Sequence, residues 1–344
     1  MTKSRSFMFL GAIAICALAS GALAGISAAK PLTRVANQIY IAGVSPFSTD
    51  PSLIPTSCGA QAEFAKLGYK WTWGGPTGFD VPGELSYLNS ISLLNPAGVI
   101  LLPLSPTVFL QKVKALMSAG VPIDMTDGAL TPFVAHRSYQ SDFSHAGSQV
   151  ANGVLQITGG TGTVGVIAQA AGLALDTVRW QPAVKLLSSH KGIKVLPVQY
   201  AQANTVKAAS EAAAMLRGNP DLKVIVATNG PQALGVVSAV AAAGDKGKVQ
   251  IISFDSPSQV LTAIAQGSVA FTIAQAPFLK GADAAKDIIS YIKAHGVRSG
   301  PVAIGTPSIV NIPTKVLTKA NINTPAAKGY EDASSCSFFK GVTP

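Results

Sequence analysis

Residues 222–256 read LKVIVATNGPQALGVVSAVAAAGDKGKVQIISFDS, and their order decides the fold. Val224 to Ala227 is a short apolar run without alternation, the pattern of a parallel strand covered on both faces. Thr228-Asn229-Gly230 interrupts it, and Pro231 to Ala243 follows as an apolar helical stretch. Gln250 to Phe254 is a second apolar run, closed by Asp255. Strand, helix and strand in this order form a right-handed crossover unit, and its repetition builds a doubly wound parallel sheet.

Working outward, the same alternation fills most of the chain. Strands are predicted at Ile39 to Val44, Tyr69 to Trp73, Gly98 to Leu102, Val121 to Asp124, Thr163 to Ala168, Ile193 to Gln199 and Ala270 to Ile273. Helical stretches are predicted at Pro106 to Ser118, Val178 to Ser189, Thr205 to Leu216 and Phe278 to His295. The rhythm breaks between Phe133 and Phe143 and restarts at His145. Two series of comparable length imply an α/β chain of two doubly wound parallel-sheet lobes joined by a hinge. In such sheets ligands bind beyond the carboxyl ends of the strands. Those positions hold Ser45-Pro46-Phe47, Thr126-Asp127-Gly128, Thr228-Asn229-Gly230, Asp255-Ser256 and Ala274-Gln275, an aromatic with carboxylates and amides suited to a small polyol.

The chain has 344 residues, 48% hydrophobic and 12% charged, enough to bury two cores. Lys3 and Arg5, an apolar run from Phe7 to Ala19 and small residues up to Ala29 have the order of a secretory signal peptide over residues 1–29. The mature protein is therefore expected outside the cytoplasm. Its loss would leave Cys58 and Cys336, which in an oxidising compartment are expected to form one disulfide, with two free thiols as the alternative. The net charge of +10 is spread over scattered lysines with no run of five, so a solvated basic surface is expected and nucleic acid is not a partner.

Gly160-Thr161-Gly162-Thr163-Val164-Gly165 has dinucleotide-fingerprint spacing, but its glycines precede a predicted strand instead of following one. It reads as a turn. No phosphate loop, nucleophile elbow, HExxH or CxxC is present, and His136, His145, His190 and His295 lack metal-ligand spacing. No catalytic residue, metal or cofactor is expected.

Ser45-Pro46-Phe47, Pro122-Ile123-Asp124-Met125-Thr126-Asp127, Asn219-Pro220-Asp221-Leu222, Asn229 with Ala233-Leu234-Gly235, Phe254-Asp255 and Thr272-Ile273-Ala274-Gln275 together resemble the ribose-type periplasmic sugar-binding proteins. Gly74-Gly75-Pro76-Thr77 also looks like the branch that binds rhamnose or a furanosyl quorum signal. The resemblance spans Ile39 to about Pro313. It implies a type I arrangement with three crossings: one lobe of residues 35–141 plus 276–308, the other of 142–275 plus 309–344. It implies hinge closure on a ligand, and ligand-binding roles for Phe47, Asp127, Asp176, Arg179, Asn229, Asp255 and Gln275. Phe47 would stack a sugar face. Asp127 and Asp255 would accept from hydroxyls, or instead cap a following helix. Arg179 would supply a fixed fork of donors. Asn229 and Gln275 would donate and accept, or instead satisfy loop backbone.

The chain also departs from the pentose-binding pattern. Gly128 stands where an arginine follows the aspartate, Ser48 and Ala203 stand where aromatics occur, and Leu102 or Pro103 where an asparagine does. A roomier and less polar pocket is expected. The function implied is capture of a sugar, polyol or sugar-like molecule by a monomer that delivers it to the permease of an ABC transporter. The alternative is an exported sensor of a less polar molecule, coupled to a receptor. A transcription regulator shares the fold, but no DNA-binding helix pair precedes Ile39.

Overall fold

The computed structural model describes residues 38–324. In chain order the first elements are β1 (Tyr40–Val44), α1 (Ile54–Ala65), β2 (Lys70–Gly74), α2 (Val81–Ser92), β3 (Gly98–Leu101), α3 (Leu110–Ser118), β4 (Ile123–Thr126) and β5 (Arg137–Ser141). Then come α4 (Phe143–Thr158), β6 (Gly162–Ala168), α5 (Ala174–Ser188), β7 (Ile193–Val195), β8 (Gln199–Tyr200), α6 (Thr205–Gly218), β9 (Leu222–Ala227), α7 (Gly230–Ala242) and β10 (Gln250–Phe254). The last are α8 (Ser258–Ala265), β11 (Phe271–Ala274), α9 (Pro277–His295), β12 (Ile309–Ile312) and β13 (Lys315–Thr318).

Two sheets result, in the strand orders β12-β5-β4-β3-β1-β2 and β13-β11-β10-β9-β6-β7, with β8 beside β6. All pairings are parallel except β11 with β13. The missing alternation in the sequence now has its cause. In the first sheet Ala42, Val44, Val99 and Leu101 face Leu88 of α2 and Val113 of α3. Their neighbours Ile41 and Ile100 face Phe64 of α1 and Ile288 of α9. In the second sheet Val224 and Val226 meet Val150 of α4, while Ile225 and Ala227 meet Ala212 of α6 and Val236 of α7. Both faces are covered, so both registers of each strand are apolar.

The chain passes between the sheets three times: from β5 into α4, from β11 into α9, and from β12 to β13. The first passage is capped by Asp142, whose carboxylate accepts from the His145 N–H. At the second, Ala276 takes a left-handed φ of 52°. At the third only Pro313 and Thr314 separate the two strands. Residues 309–312, expected in the second lobe, instead hydrogen-bond to β5 at the edge of the first sheet. The break expected at 133–143 contains β5, whose polar sequence RSYQS hid a strand. Gly159 ends α4 in the left-handed region and Gly162 opens β6, so the glycine-rich run is a turn that feeds a strand.

Two helices pack unusually closely. A β-carbon at Gly59 of α1 would overlap the carbonyl oxygen of Phe278, and one at Gly281 of α9 would overlap that of Thr56. Cys58, buried on the same turn of α1, is disulfide-bonded. Cys336 and the expected signal segment 1–29 lie outside the described residues. Among the described residues no helix is long and apolar enough to cross a membrane.

Candidate functional site

Asp127 and Asp255 hold the same station in the two sheets. Each is the first residue past its strand, β4 or β10. Each still donates its N–H to the neighbouring strand, Asp127 to the Tyr139 carbonyl at 3.0 Å and Asp255 to that of Ile273 at 3.1 Å. Each then turns left-handed, with φ of 57° and 63°. That conformation is uncommon outside glycine, although aspartate is one of the residues that tolerates it. It ends each strand with the carboxylate at the sheet's carboxyl edge, and both side chains line the same recess. Helix capping, the alternative for Asp255, does not occur: the residue that caps α8 is Pro257, and no side chain bonds to that end of the helix.

Arg179, from α5, lines the same recess and is 4% exposed. Its Nη1 donates to the Thr228 carbonyl at 2.9 Å and to Asp255 Oδ2 at 3.4 Å. Burial works against its charge, but Asp255, Asp127, Asp176 and Asp50 surround it and hold the proton. Burial pushes the Asp255 carboxyl up, against the pull of Arg179. Gln275 Nε2 donates to Asp255 Oδ1. Lys280, in the first turn of α9 and 1% exposed, donates to Asp127 Oδ1 and, at 3.1 Å, to Ser141 Oγ.

These groups surround two adjoining recesses of about 10 and 20 Å³. The first is bounded by Asp127, Arg179, Asp255, Gln275 and Lys280. The second adds Phe47, Asp50, Gln169 and Asn229 with an apolar wall of Leu53, Leu102, Leu175 and Ala203. Ser52 borders both. Arg179 Nε and Ser52 Oγ are buried here without a protein partner, and such groups are costly unless something bonds to them.

Of the seven side chains expected to bind ligand, Phe47, Asp127, Arg179, Asn229, Asp255 and Gln275 line these recesses. Asn229 also caps α7, accepting from the Gln232 N–H at 3.0 Å, which commits Oδ1 and leaves Nδ2 as its donor. Asp176 is not among the lining residues. It is fully buried, and its carboxylate accepts from the Gln169 N–H at 2.7 Å and from Thr228 Oγ1, so it supports the loops that hold Arg179. Sequence reasoning missed Lys280, Asp50, Ser52 and Gln169. No signal marked Lys280, because a single lysine in a helical stretch ordinarily faces solvent.

One group of metal-ligating side chains exists among the described residues: Asp124, His136 and Asp287, on the first sheet and α9. Each of the three side chains already has an ion-pair partner within the group. His136 Nδ1 lies 3.3 Å from Asp124 Oδ1 and 2.9 Å from Asp287 Oδ2, and Arg137 Nη1 lies 2.5 Å from Asp287 Oδ1. The two carboxylates hold the His136 proton up to about 9 although burial opposes it. The group is an ion-pair network that fastens α9 to its sheet.

Residues 41–296 match the family model described as periplasmic binding protein domain. The D-allose-binding periplasmic protein of Escherichia coli (strain K12) is 26% identical over 260 residues, covering 72% of this chain and 82% of that protein. The ribose import binding protein of the same organism is 25% identical over 255 residues, covering 73% and 83%. Among solved structures, an ABC transporter solute-binding protein from Agrobacterium vitis bound with alpha-D-tagatopyranose superimposes with a TM-score of 0.77 at 25% identity, over 85% of this chain and 99% of that one.

Proposed function

The chain belongs to the periplasmic binding protein family, and on that premise we propose that it captures a sugar or sugar-like polyol between its two lobes and delivers it to an ABC-transporter permease. The observation that carries this reading is the convergence of Asp127 from the first sheet with Asp255, Asn229 and Arg179 from the second on one recess, where Arg179 Nε and Ser52 Oγ await a partner. Adjacent hydroxyls both donate and accept. The carboxylates of Asp127 and Asp255 would receive their protons, while Arg179 Nε and Asn229 Nδ2 would donate to their oxygens. Phe47 offers the flat surface on which the C–H face of a ring stacks. Relatives named for allose and ribose, and the tagatose-bound structure, support the sugar class.

The three passages between the sheets form the hinge of this reading, and closure brings Phe47 and Asp127 onto Arg179, Asn229 and Asp255. The ionisable groups of the recess are bonded to one another and to backbone, an arrangement suited to holding a ligand without turning it over. In this reading the protein acts as an extracytoplasmic monomer, residues 1–29 are removed on export, and Cys336 is the partner of Cys58.

A thermal-shift screen of the mature protein, freed of carried-over ligand, against aldoses, ketoses, polyols and furanosyl signals tests the function. A ligand that binds only the folded protein raises its melting temperature. A sugar or polyol hit that is lost in Arg179→Ala and Asp127→Ala, with both variants folded, is the expected result. Stabilisation only by apolar solutes, or unchanged affinity in both variants, would overturn it.

A further inference from the structure

Asp127 and Leu175 border not only the inner recess but also a larger chamber of about 190 Å³ that continues from it toward solvent. Its walls are Pro103 and Leu104 after β3, Phe143 at the start of α4, Leu175 and Val178 on α5, and Ile309 on β12. Except for Gln140 and for Asp127, which it shares with the inner recess, every side chain that lines it is apolar. Val178 is 38% exposed and Ile309 42%, so two large aliphatic side chains stand open at its rim.

We propose that this chamber is a second subsite, which receives an apolar aryl or alkyl substituent on the ligand whose polar part occupies the inner recess. The inference rests on the proposed sugar-binding function and narrows it, from a free sugar to an amphipathic glycoside. The volume suits such a group: a cavity of about 150 Å³ lined by aliphatic and aromatic side chains is large enough to hold benzene. The chemistry suits it as well. A free sugar bound at Asp127 would present hydroxyls to Leu175, Pro103 and Leu104, none of which offers a hydrogen-bonding side chain. An apolar substituent placed there would leave water for a surface that matches it. Gly128 makes the room. It borders the chamber beside Pro103, and a β-carbon on it would lie 3.2 Å from Pro103 Cγ, so any side chain there would crowd this wall of the space.

Calorimetric titration of the mature protein with D-ribose, D-allose and D-galactose, and with the methyl and phenyl β-glycosides of each, tests the proposal. The expected result is that the phenyl glycoside of the sugar that binds does so on the order of tenfold more tightly than its methyl glycoside, or better. That advantage should disappear in Gly128→Arg, which places a long charged side chain at the wall of the chamber, and shrink in Ile309→Ser, which removes an aliphatic group from the exposed rim. Equal affinity of the methyl and phenyl compounds, a sugar that binds while both glycosides are refused, or an advantage that survives both substitutions would overturn the subsite and leave sugar binding standing. If no sugar, polyol or glycoside binds, either here or in the wider thermal-shift screen, the sugar-binding function falls and this inference falls with it.

Discussion

The Lys280 ammonium is bonded to the Asp127 carboxylate with both side chains almost wholly out of water, at 1% and 3% exposure. One group comes from the end of β4 and the other from the first turn of α9, so the pair ties the helix that enters from the second sheet to the ligand edge of the first. A buried charge that loses its partner is costly, whereas replacing both partners by uncharged groups is often nearly neutral.

Asp127→Asn is therefore expected to destabilise the protein by roughly 3–5 kcal/mol. Lys280→Met with Asp127→Asn should recover most of that loss. Urea denaturation of the parent, both single variants and the double variant gives the coupling directly. Additive losses would show that the two side chains do not depend on one another.

Gly281→Ala should separate α1 from α9, because the new methyl group meets the Thr56 carbonyl of the facing helix. A loss of about 1–3 kcal/mol is expected from such overpacking. Ligand affinity should fall with it, since Lys280 sits on the displaced turn. Gly78→Ala is the control, at a site with open space around the added carbon, and should stay within about 0.5 kcal/mol of the parent. Equal melting temperatures for the two variants would contradict the close helix crossing.

Glu84, fully buried on α2, accepts from the Leu104 N–H at 3.1 Å through one oxygen, and its other oxygen has no partner. Burial raises its pKa from 4.5 to about 8. The folded chain thus binds this proton more tightly than the unfolded chain does. Its stabilisation is complete below pH 4.5 and is lost as the pH rises to about 8. Glu84→Gln, which cannot titrate, should flatten the fall in stability across that window in denaturation curves taken at successive pH values. The same slope in both proteins would assign the effect to other groups.

The sheets were legible because their strands are covered on both faces: Gln250 to Phe254 was read to the residue, and most other strands to within two. β5 and β12 were not, because both lie near or at the edge of the first sheet with polar or half-exposed side chains, and such strands carry little periodic signal. Without β12, the third passage was placed four residues early. Phe47, Asp127 and Asp255 were legible from their place just past a strand. Lys280 was not, because its partner Asp127 lies 153 residues earlier in the chain and only the packing of α9 on the first sheet brings the two together. Asp176 shows the opposite failure: a residue type suited to hydroxyls, at a fitting position, spends both oxygens on its own loops.

The entry of α9 also sets a schedule for the growing chain. Ile41 and Ile100, in two of the earliest strands described, pack against Ile288 of a helix that follows every strand of the second sheet except β13. The first sheet thus has only α1 over that face until most of the second sheet has been synthesised. Contacts so distant along the chain form slowly. A molecule wired in this way can seal its opening lobe only after most of the other has left the ribosome.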